Sequence, residues 1–501
     1  MEQQNSTLNV IELFAGVGGF RLGLESVHGQ PFRVTLSNQF EPTKRIQHAS
    51  LVYQAHWADG VHLNQDINEV LASPAGQQAI RDAAPDVVVG GFPCQDYSVA
   101  KPISQSKGIE GKKGVLWWSI AELLKQRIAD RAPVKYLILE NVDRLLSSPA
   151  FAKGRDFAIV LATLNRLGYA VEWRVINAAD YGFPQKRKRV FIVAYHNTTG
   201  LYTSSVATQF MAPAGWVSTG VLGRALPTVP RDPAQAGREC FKVSADPFMA
   251  QSTFQPLPNG KSPFANAGFM FDGYVYSASV DAAIFSDYTR FTGTPDALTL
   301  GDVVNLTTDV HDNFYIGCDA ERAWRMAKGA KCLPRQKDGF KYNYTEGAMA
   351  FPDPLDKPAR TIITSEGGAS ASRTRHAVRT ANGRLRRLVP EELEVLNGFP
   401  RGFTQHAQVS DSMRAFLMGN ALVTGLVTRI ATALHDAHRR EIESLAECMA
   451  FEDFHGKRLT ATVVDEGEKR HQSGAHHFRF DGHHRDRAGS QAREPQGAPK
   501  L

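Results

Sequence analysis

Short apolar runs alternate with helix-length segments through residues 1–195, and this alternation restricts the possible folds more than anything else in the chain. Leu8 to Phe14 reads as a strand, Ala15-Gly16-Val17-Gly18-Gly19 as a tight turn, and a helix follows from near Phe20. Arg33 to Ser37 reads as a second strand, and a third element ends at Asp66-Ile67. Asp86 to Val89 is the next strand, followed by a helix at Leu116 to Lys125 and a strand at Lys135 to Leu139. A helix near Asp156 to Leu167 leads into a hairpin-like pair, Val171 to Ile176 with Arg189 to Tyr195. Alternation at this spacing predicts an α/β fold: a doubly wound, mostly parallel sheet with helices on both faces.

The texture changes after His196. Residues 196–385 are rich in Gly, Pro, Ser, Thr and aromatic residues and poor in helix-length periodic segments, so a second, smaller, mainly β and loop domain is expected there, off the sheet. Helical pattern returns at Pro390 to Leu396 and from Met413 to Ala446, making 386–450 a return segment to the first domain. From 451 to 501 the chain is polar, charged and holds six of the 16 histidines. Histidines hold metal well only on a rigid frame, and this composition favours a disordered, solvated tail.

Five cysteines, far apart and without a C-x-x-C pair, argue against zinc and for reduced thiols, hence a cytoplasmic address. Residues 1–9 lack an apolar h-region, and no run of about 18 apolar residues occurs, so neither secretion nor a membrane span is expected. A net charge of +6 permits a polyanionic partner without requiring one.

Two loops at strand ends draw attention. The glycines after Phe14 allow a ligand close to the backbone, although a ligand-free turn has the same composition. Gly90-Gly91-Phe92-Pro93-Cys94 puts a cysteine just past a buried strand, the position in open α/β sheets where ligands sit. Alone, such a cysteine is more often a small buried core residue than a nucleophile.

Taken together the motifs resemble those of the DNA cytosine-C5 methyltransferases. Phe14-Ala15-Gly16-Val17-Gly18-Gly19 looks like that family's S-adenosylmethionine loop, Gly91-Phe92-Pro93-Cys94-Gln95 its nucleophile motif, and Glu140-Asn141-Val142 its acid motif. Gln185-Lys186-Arg187-Lys188-Arg189 resembles its Q-x-R-x-R motif, Arg386 through Pro400 its ninth motif, and Gly419-Asn420-Ala421-Leu422 its tenth.

The resemblance implies the S-adenosylmethionine-dependent methyltransferase fold and a catalytic set of Cys94, Glu140, Arg189 and Arg187. A thiolate at Cys94 would add to carbon 6 of cytosine and turn carbon 5 into a nucleophile. Glu140 would meet the charge at ring nitrogen 3, Arg189 the carbonyl oxygen, and Arg187 would brace the site. The methyl donor S-adenosyl-L-methionine would be held by Phe14, Ala15, Gly16, Gly18 and Gly19, with Asp66 and Ile67 at the adenine, Phe40 stacked on it and Leu116 beneath. Phe92, Pro93, Asn420 and Ala421 would complete that site. Gln39 departs from the family, where Glu often holds the ribose hydroxyls; a neutral amide can still bond two hydroxyls and Glu41 lies two positions on, so altered contacts and not lost binding are expected. No metal is implied.

The same resemblance makes duplex DNA the substrate and 196–385 the target-recognition domain. The cytosine would be flipped out of the duplex, as methyltransferases do. Gln95, Ser98, Lys101, Lys107, Lys112, Lys113 and Gln185 are the expected DNA contacts, residues 95–114 reading either as a closing loop or as a merely exposed one. A cognate restriction endonuclease acting on the same site is an implied partner, with the chain itself a monomer and no membrane involved. Two other readings remain: an RNA cytosine methyltransferase of the same fold, disfavoured by the long recognition region, and a catalytically inactive DNA-binding regulator, disfavoured by the intact Cys94, Glu140 and Arg189.

Overall fold

The computed structural model describes residues 7–92, 116–212, 214–283, 298–307, 309–337 and 340–463, with side chains to 443 other than 210, 239, 337 and 340. Seven strands come from the first part of the chain: β1 (Leu8–Leu13), β2 (Phe32–Asn38), β3 (Val61–Leu63), β4 (Val87–Gly91), β5 (Tyr136–Asn141), β6 (Tyr169–Asn177) and β7 (Lys188–His196). They lie in the order β3-β2-β1-β4-β5-β7-β6. The first five are parallel, and β7 runs antiparallel to both its neighbours.

Alternate residues of these strands face opposite ways, and each face is covered. Val10, Val34, Val87, Val89 and Ile138 share one core with Phe20 and Leu24 of α1 (Gly19–Glu25) and with Leu426, Val427, Ile430 and Leu434 of the C-terminal helix Thr424–Val463. Ile11, Leu13, Leu36, Val88 and Leu139 face a second core built by the helices Leu116–Ala129 and Arg155–Arg166. Coverage on both sides is why Val87 to Val89 is a continuous apolar run and not an alternating one. Gly23 of α1 admits the C-terminal helix at close range, since a Cβ there would stand 2.6 Å from Val427.

The expectation that residues 196–385 stay off the sheet is corrected. Three of their strands, Ala267–Phe271, Tyr274–Ala278 and Glu239–Lys242, extend the edge of β6 antiparallel and make one ten-stranded sheet. Seven of its ten strands still point the same way, so the sheet is mixed but mostly parallel. An open β6 edge would be a row of unpaired backbone groups, and pairing satisfies them. The local signal was present in Asp272-Gly273, whose φ angles of 45° and 77° belong to a tight hairpin turn between FMF and YVY. The same stretch also holds helices, among them Gly200–Met211, Leu300–Asn305 and Cys318–Lys328.

Two buried charges on β6 fasten part of this region to the sheet. Glu172 accepts from the backbone N–H of Val221 (2.8 Å) and Leu222 (3.1 Å), while Arg174, on the same face, donates to the carbonyls of Val217, Leu222 and Leu226. Burial outweighs these bonds and the neighbouring Arg174, pushing the Glu172 carboxyl up from 4.5 to about 7. A group that holds its proton more tightly when folded loses its stabilising contribution as pH rises from 4.5 through about 7. Wild type should therefore lose melting temperature relative to Glu172→Gln between pH 5 and 7.5, by the equivalent of roughly 3 kcal/mol at most. Calorimetry of both proteins measures this, and parallel pH profiles would refute it.

These elements belong to one compact unit, Met1–Ile442; Glu443–Leu501 forms another, described as helical to Val463. The tail boundary expected at 451 falls inside that helix, which no proline interrupts. Among the described residues one stretch, within Asp411–Glu443, is long and apolar enough to cross a membrane, and most of that window is buried in the protein.

Candidate active site

β1, β2, β4 and β5 all end at the same edge of the sheet, where ligands gather in folds of this kind. The turn after β1 bends sharply. Phe14, Gly16 and Gly18 have φ of 55°, 56° and 86°, and a Cβ on Gly18 would stand 2.2 Å from the Trp57 ring, so only glycine serves there. Below the turn lies Glu12, wholly buried, accepting from the backbone N–H of Arg21 (3.3 Å) and the hydroxyl of Tyr53 (3.0 Å). Burial pushes its carboxyl up to about 7. An acid inside LNVIELF is the signal that could have revealed this support, because a buried carboxylate needs partners. Above the turn, the Gln39 side-chain oxygen accepts the Gly16 N–H at 2.8 Å.

The acid and the base at the centre are set by register. Glu140 on β5 stands beside Gly91 of β4 and opposite Phe191 of β7. Arg189, two residues before Phe191, shares its face and lies diagonal to Glu140, within reach for a long side chain. The two meet: Arg189 Nε is 2.8 Å from Glu140 Oε1, with side chains only 19% and 13% exposed. A Cβ on Gly91 would come 3.3 Å from Glu140 Oε2, so this glycine keeps room for the carboxylate. Asn141 binds β5 to the end of β4, its Nδ2 donating to the Phe92 carbonyl at 3.2 Å while its Oδ1 accepts from Val142 N. Phe92, two residues before Cys94 in sequence, is thereby fixed next to the ion pair.

A family model for C-5 cytosine-specific DNA methylases matches residues 8–231 and 304–436. The type II methyltransferase M.Sau3AI of Staphylococcus aureus is 40% identical over 428 residues, covering 85% of this chain and 95% of that protein. M.NgoBI of Neisseria gonorrhoeae is 34% identical over 200 residues, covering 40% of this chain and 54% of its own. The likeness to M.Sau3AI therefore reaches well beyond the shared core. The chain belongs to the C-5 cytosine-specific DNA methylases.

The methylase is thus an enzyme acting on DNA cytosine. Of the residues expected in its site, Glu140 and Arg189 are in direct contact. Arg187 is buried and donates to the carbonyls of Ile362 (3.2 Å) and Gly419 (3.1 Å), which makes it a brace between the start of β7 and two distant segments of the chain.

One expectation is corrected. Gln185 does not face DNA: it is fully buried, its Nε2 donating to Leu396 O and Asn397 Oδ1 and its Oε1 accepting from Ile362 N, so both ends of the amide are spent inside the protein. The Gln39 oxygen accepts the Gly16 N–H, and its amide nitrogen and second oxygen lone pair leave bonding capacity beyond that contact.

Phe40 is 38% exposed at the end of β2. Asp66 caps the helix Ile67–Ala72, its Oδ1 accepting from Asn68 N, while the Ile67 side chain lies in the core. Ala15 is buried, and Gly19 packs against Phe399 and Leu422. Leu116 opens its helix half-buried, and the rings of Phe92 and Trp117 lie 5.7 Å apart. Asn420, exposed, ends the helix Asp411–Asn420, with Ala421 capping it. Pro93, Cys94, Gln95, Ser98, Lys101, Lys107, Lys112 and Lys113 lie outside the described residues.

Proposed function

We propose that this methylase transfers a methyl group from S-adenosylmethionine to carbon 5 of a cytosine flipped out of a specific duplex site, through a covalent bond to Cys94. The observation carrying the reading is the Arg189–Glu140 contact at 2.8 Å, beside the strand end from which the chain runs into Pro93 and Cys94. The turn after β1 suits the donor. Nothing lies within 4 Å of where a Cβ on Gly16 would project, Phe40 offers a partly exposed ring, and Asp66 an acceptor, near neighbouring strand ends.

When bound, S-adenosylmethionine supplies an electrophilic methyl on a sulfonium. The protein's part is to make carbon 5 attack it. Cys94 Sγ bonds to carbon 6, and the electron pair displaced from the 5,6 double bond is delocalised toward nitrogen 3 and the carbonyl oxygen. Glu140 meets nitrogen 3 with a proton or hydrogen bond, and Arg189 holds the oxygen. Carbon 5 takes the methyl, its proton leaves to solvent, and the Cys94–carbon 6 bond breaks to restore the ring.

Two described cysteines, Cys318 and Cys332, are free and exposed, which suits a reducing cytoplasm. We place the enzyme there as a monomer, modifying the site that a restriction endonuclease partner would cut. A mixed-sequence duplex containing 5-fluorocytosine tests the chemistry, because fluorine cannot leave as the proton does. A denaturant-resistant protein–DNA adduct is expected with S-adenosylmethionine present. Its absence on every cytosine-rich duplex would refute covalent catalysis.

A further inference from the structure

Beyond the helix Cys318–Lys328 the chain forms an antiparallel ribbon, Lys331–Lys337 paired with Phe340–Glu346, which among the described residues joins no other sheet. The side chains of residues 331–336, 341–343 and 345 are all exposed. A two-stranded ribbon without a core is marginal in water, so this one depends on its foot. Arg373 donates to the carbonyls of Gly329 (2.7 Å) and Gly347 and pairs with Glu346 at 2.9 Å, gripping both ends. Lys328, buried, pairs with Asp353 at 2.9 Å, and Asp353 also takes Arg360 (2.7 Å) and the Ala377 N–H (2.9 Å).

That foot is tied to the catalytic pair. Arg360 sits in a segment laid along Gln185–Arg187: Lys186 N donates to Ala359 O at 2.8 Å, Ile362 N to Gln185 Oε1, and Arg187 to Ile362 O. Two residues further, Arg189 holds Glu140. The ribbon is therefore fixed in the frame of the active site while both its faces are open.

We propose that the ribbon enters the major groove of the substrate duplex and reads base edges with Gln336, Lys341 and Asn343. This rests on the proposal that the enzyme modifies a specific duplex site. The register places Gln336 across from Lys341 and Asn343 across from Pro334, all on one face, while Lys331, Arg335, Tyr342 and Tyr344 lie on the other. Amide side chains match the paired donor and acceptor of adenine, lysine matches the acceptors of guanine, and the groove admits a two-stranded ribbon. The opposite face suits phosphate, with Lys331 and with Arg335 stacked 4.2 Å from the Tyr344 ring. Its described side chains include Lys331, Arg335 and Lys341 against Glu346, which Arg373 already neutralises. Positive charge and Pro334 also discourage a second copy from pairing along the edge.

The test uses the full-length enzyme and the site it methylates in cellular DNA, mapped by bisulfite sequencing. Rates for Gln336→Ala, Lys341→Ala and Asn343→Ala are measured on a duplex carrying that site and on duplexes with each base pair replaced. At least one variant should lose selectivity between the site and one replaced duplex by roughly tenfold or more, with S-adenosylmethionine binding unchanged. Unchanged selectivity in all three, or an equal loss on every duplex, would overturn the base-reading role. A selectivity change confined to Arg335→Ala would overturn the choice of face. If wild type methylates no duplex at all, the functional proposal falls first, and that outcome is separate from these.

Discussion

Cys94→Ser should lower methyl transfer to duplex DNA by about four orders of magnitude or more while leaving DNA and S-adenosylmethionine binding close to wild type. The expectation follows from the reaction. Carbon 5 of cytosine attacks a methyl sulfonium poorly until a nucleophile has added at carbon 6, and a thiol supplies some thiolate at neutral pH whereas a serine hydroxyl supplies almost none. Everything else in the site would still be present: the Glu140–Arg189 contact, the Gly16 turn and the pinned Phe92 do not depend on sulfur. Single-turnover transfer of a labelled methyl group, alongside binding of both substrates, separates the possibilities. Loss of binding together with activity would make Cys94 a packing residue, and substantial residual transfer would remove the covalent step.

Much of this site was legible in the chain because local physics wrote it there. Val87 to Val89 and Tyr136 to Leu139 are too apolar to stay in water, and both are fully buried in adjacent parallel strands. Gly16 and Gly18 occupy positive φ, as a tight turn from strand to helix demands. What the sequence could not display is where distant segments return. Gln185 sits in a run of lysines and arginines and looks solvated, yet its partners are Ile362, Leu396 and Asn397, roughly two hundred residues on. The pairing of Ala267–Met270 with β6 is equally non-local, although the Asp272-Gly273 turn beside it was readable.

Segments far along the chain consequently brace the start of β7. Residues 359–362 run beside Gln185–Arg187, and Gly419 and Ile362 receive the Arg187 guanidinium, so the start of β7 is held on two sides before it delivers Arg189. Arg189 in turn bonds the Lys188 carbonyl with Nη1 and the carboxylate with Nε. Its planar head is oriented before any substrate arrives, and preorganised donors of this kind are what stabilise charge as it develops.

Glu140→Gln should then reduce the rate of methyl transfer by about two to four orders of magnitude, with little change in DNA affinity or melting temperature. Glutamine matches glutamate in size and keeps an oxygen for Arg189, but it cannot give a proton to ring nitrogen 3. The loss should fall on the addition step itself, so exchange of the carbon 5 hydrogen with solvent should decline in parallel with methylation. Exchange surviving at wild-type rate would place the defect after addition and rule out the acid role. Arg189→Ala should also be severely impaired, and the double variant decides how the pair works. If Arg189 acts by holding Glu140 as well as the cytosine oxygen, removing both should cost clearly less than the product of the single losses, because groups that act as one unit do not contribute independently. Losses that multiply would mean that the contact at 2.8 Å is only a resting arrangement, and that the two side chains serve separate atoms of the ring.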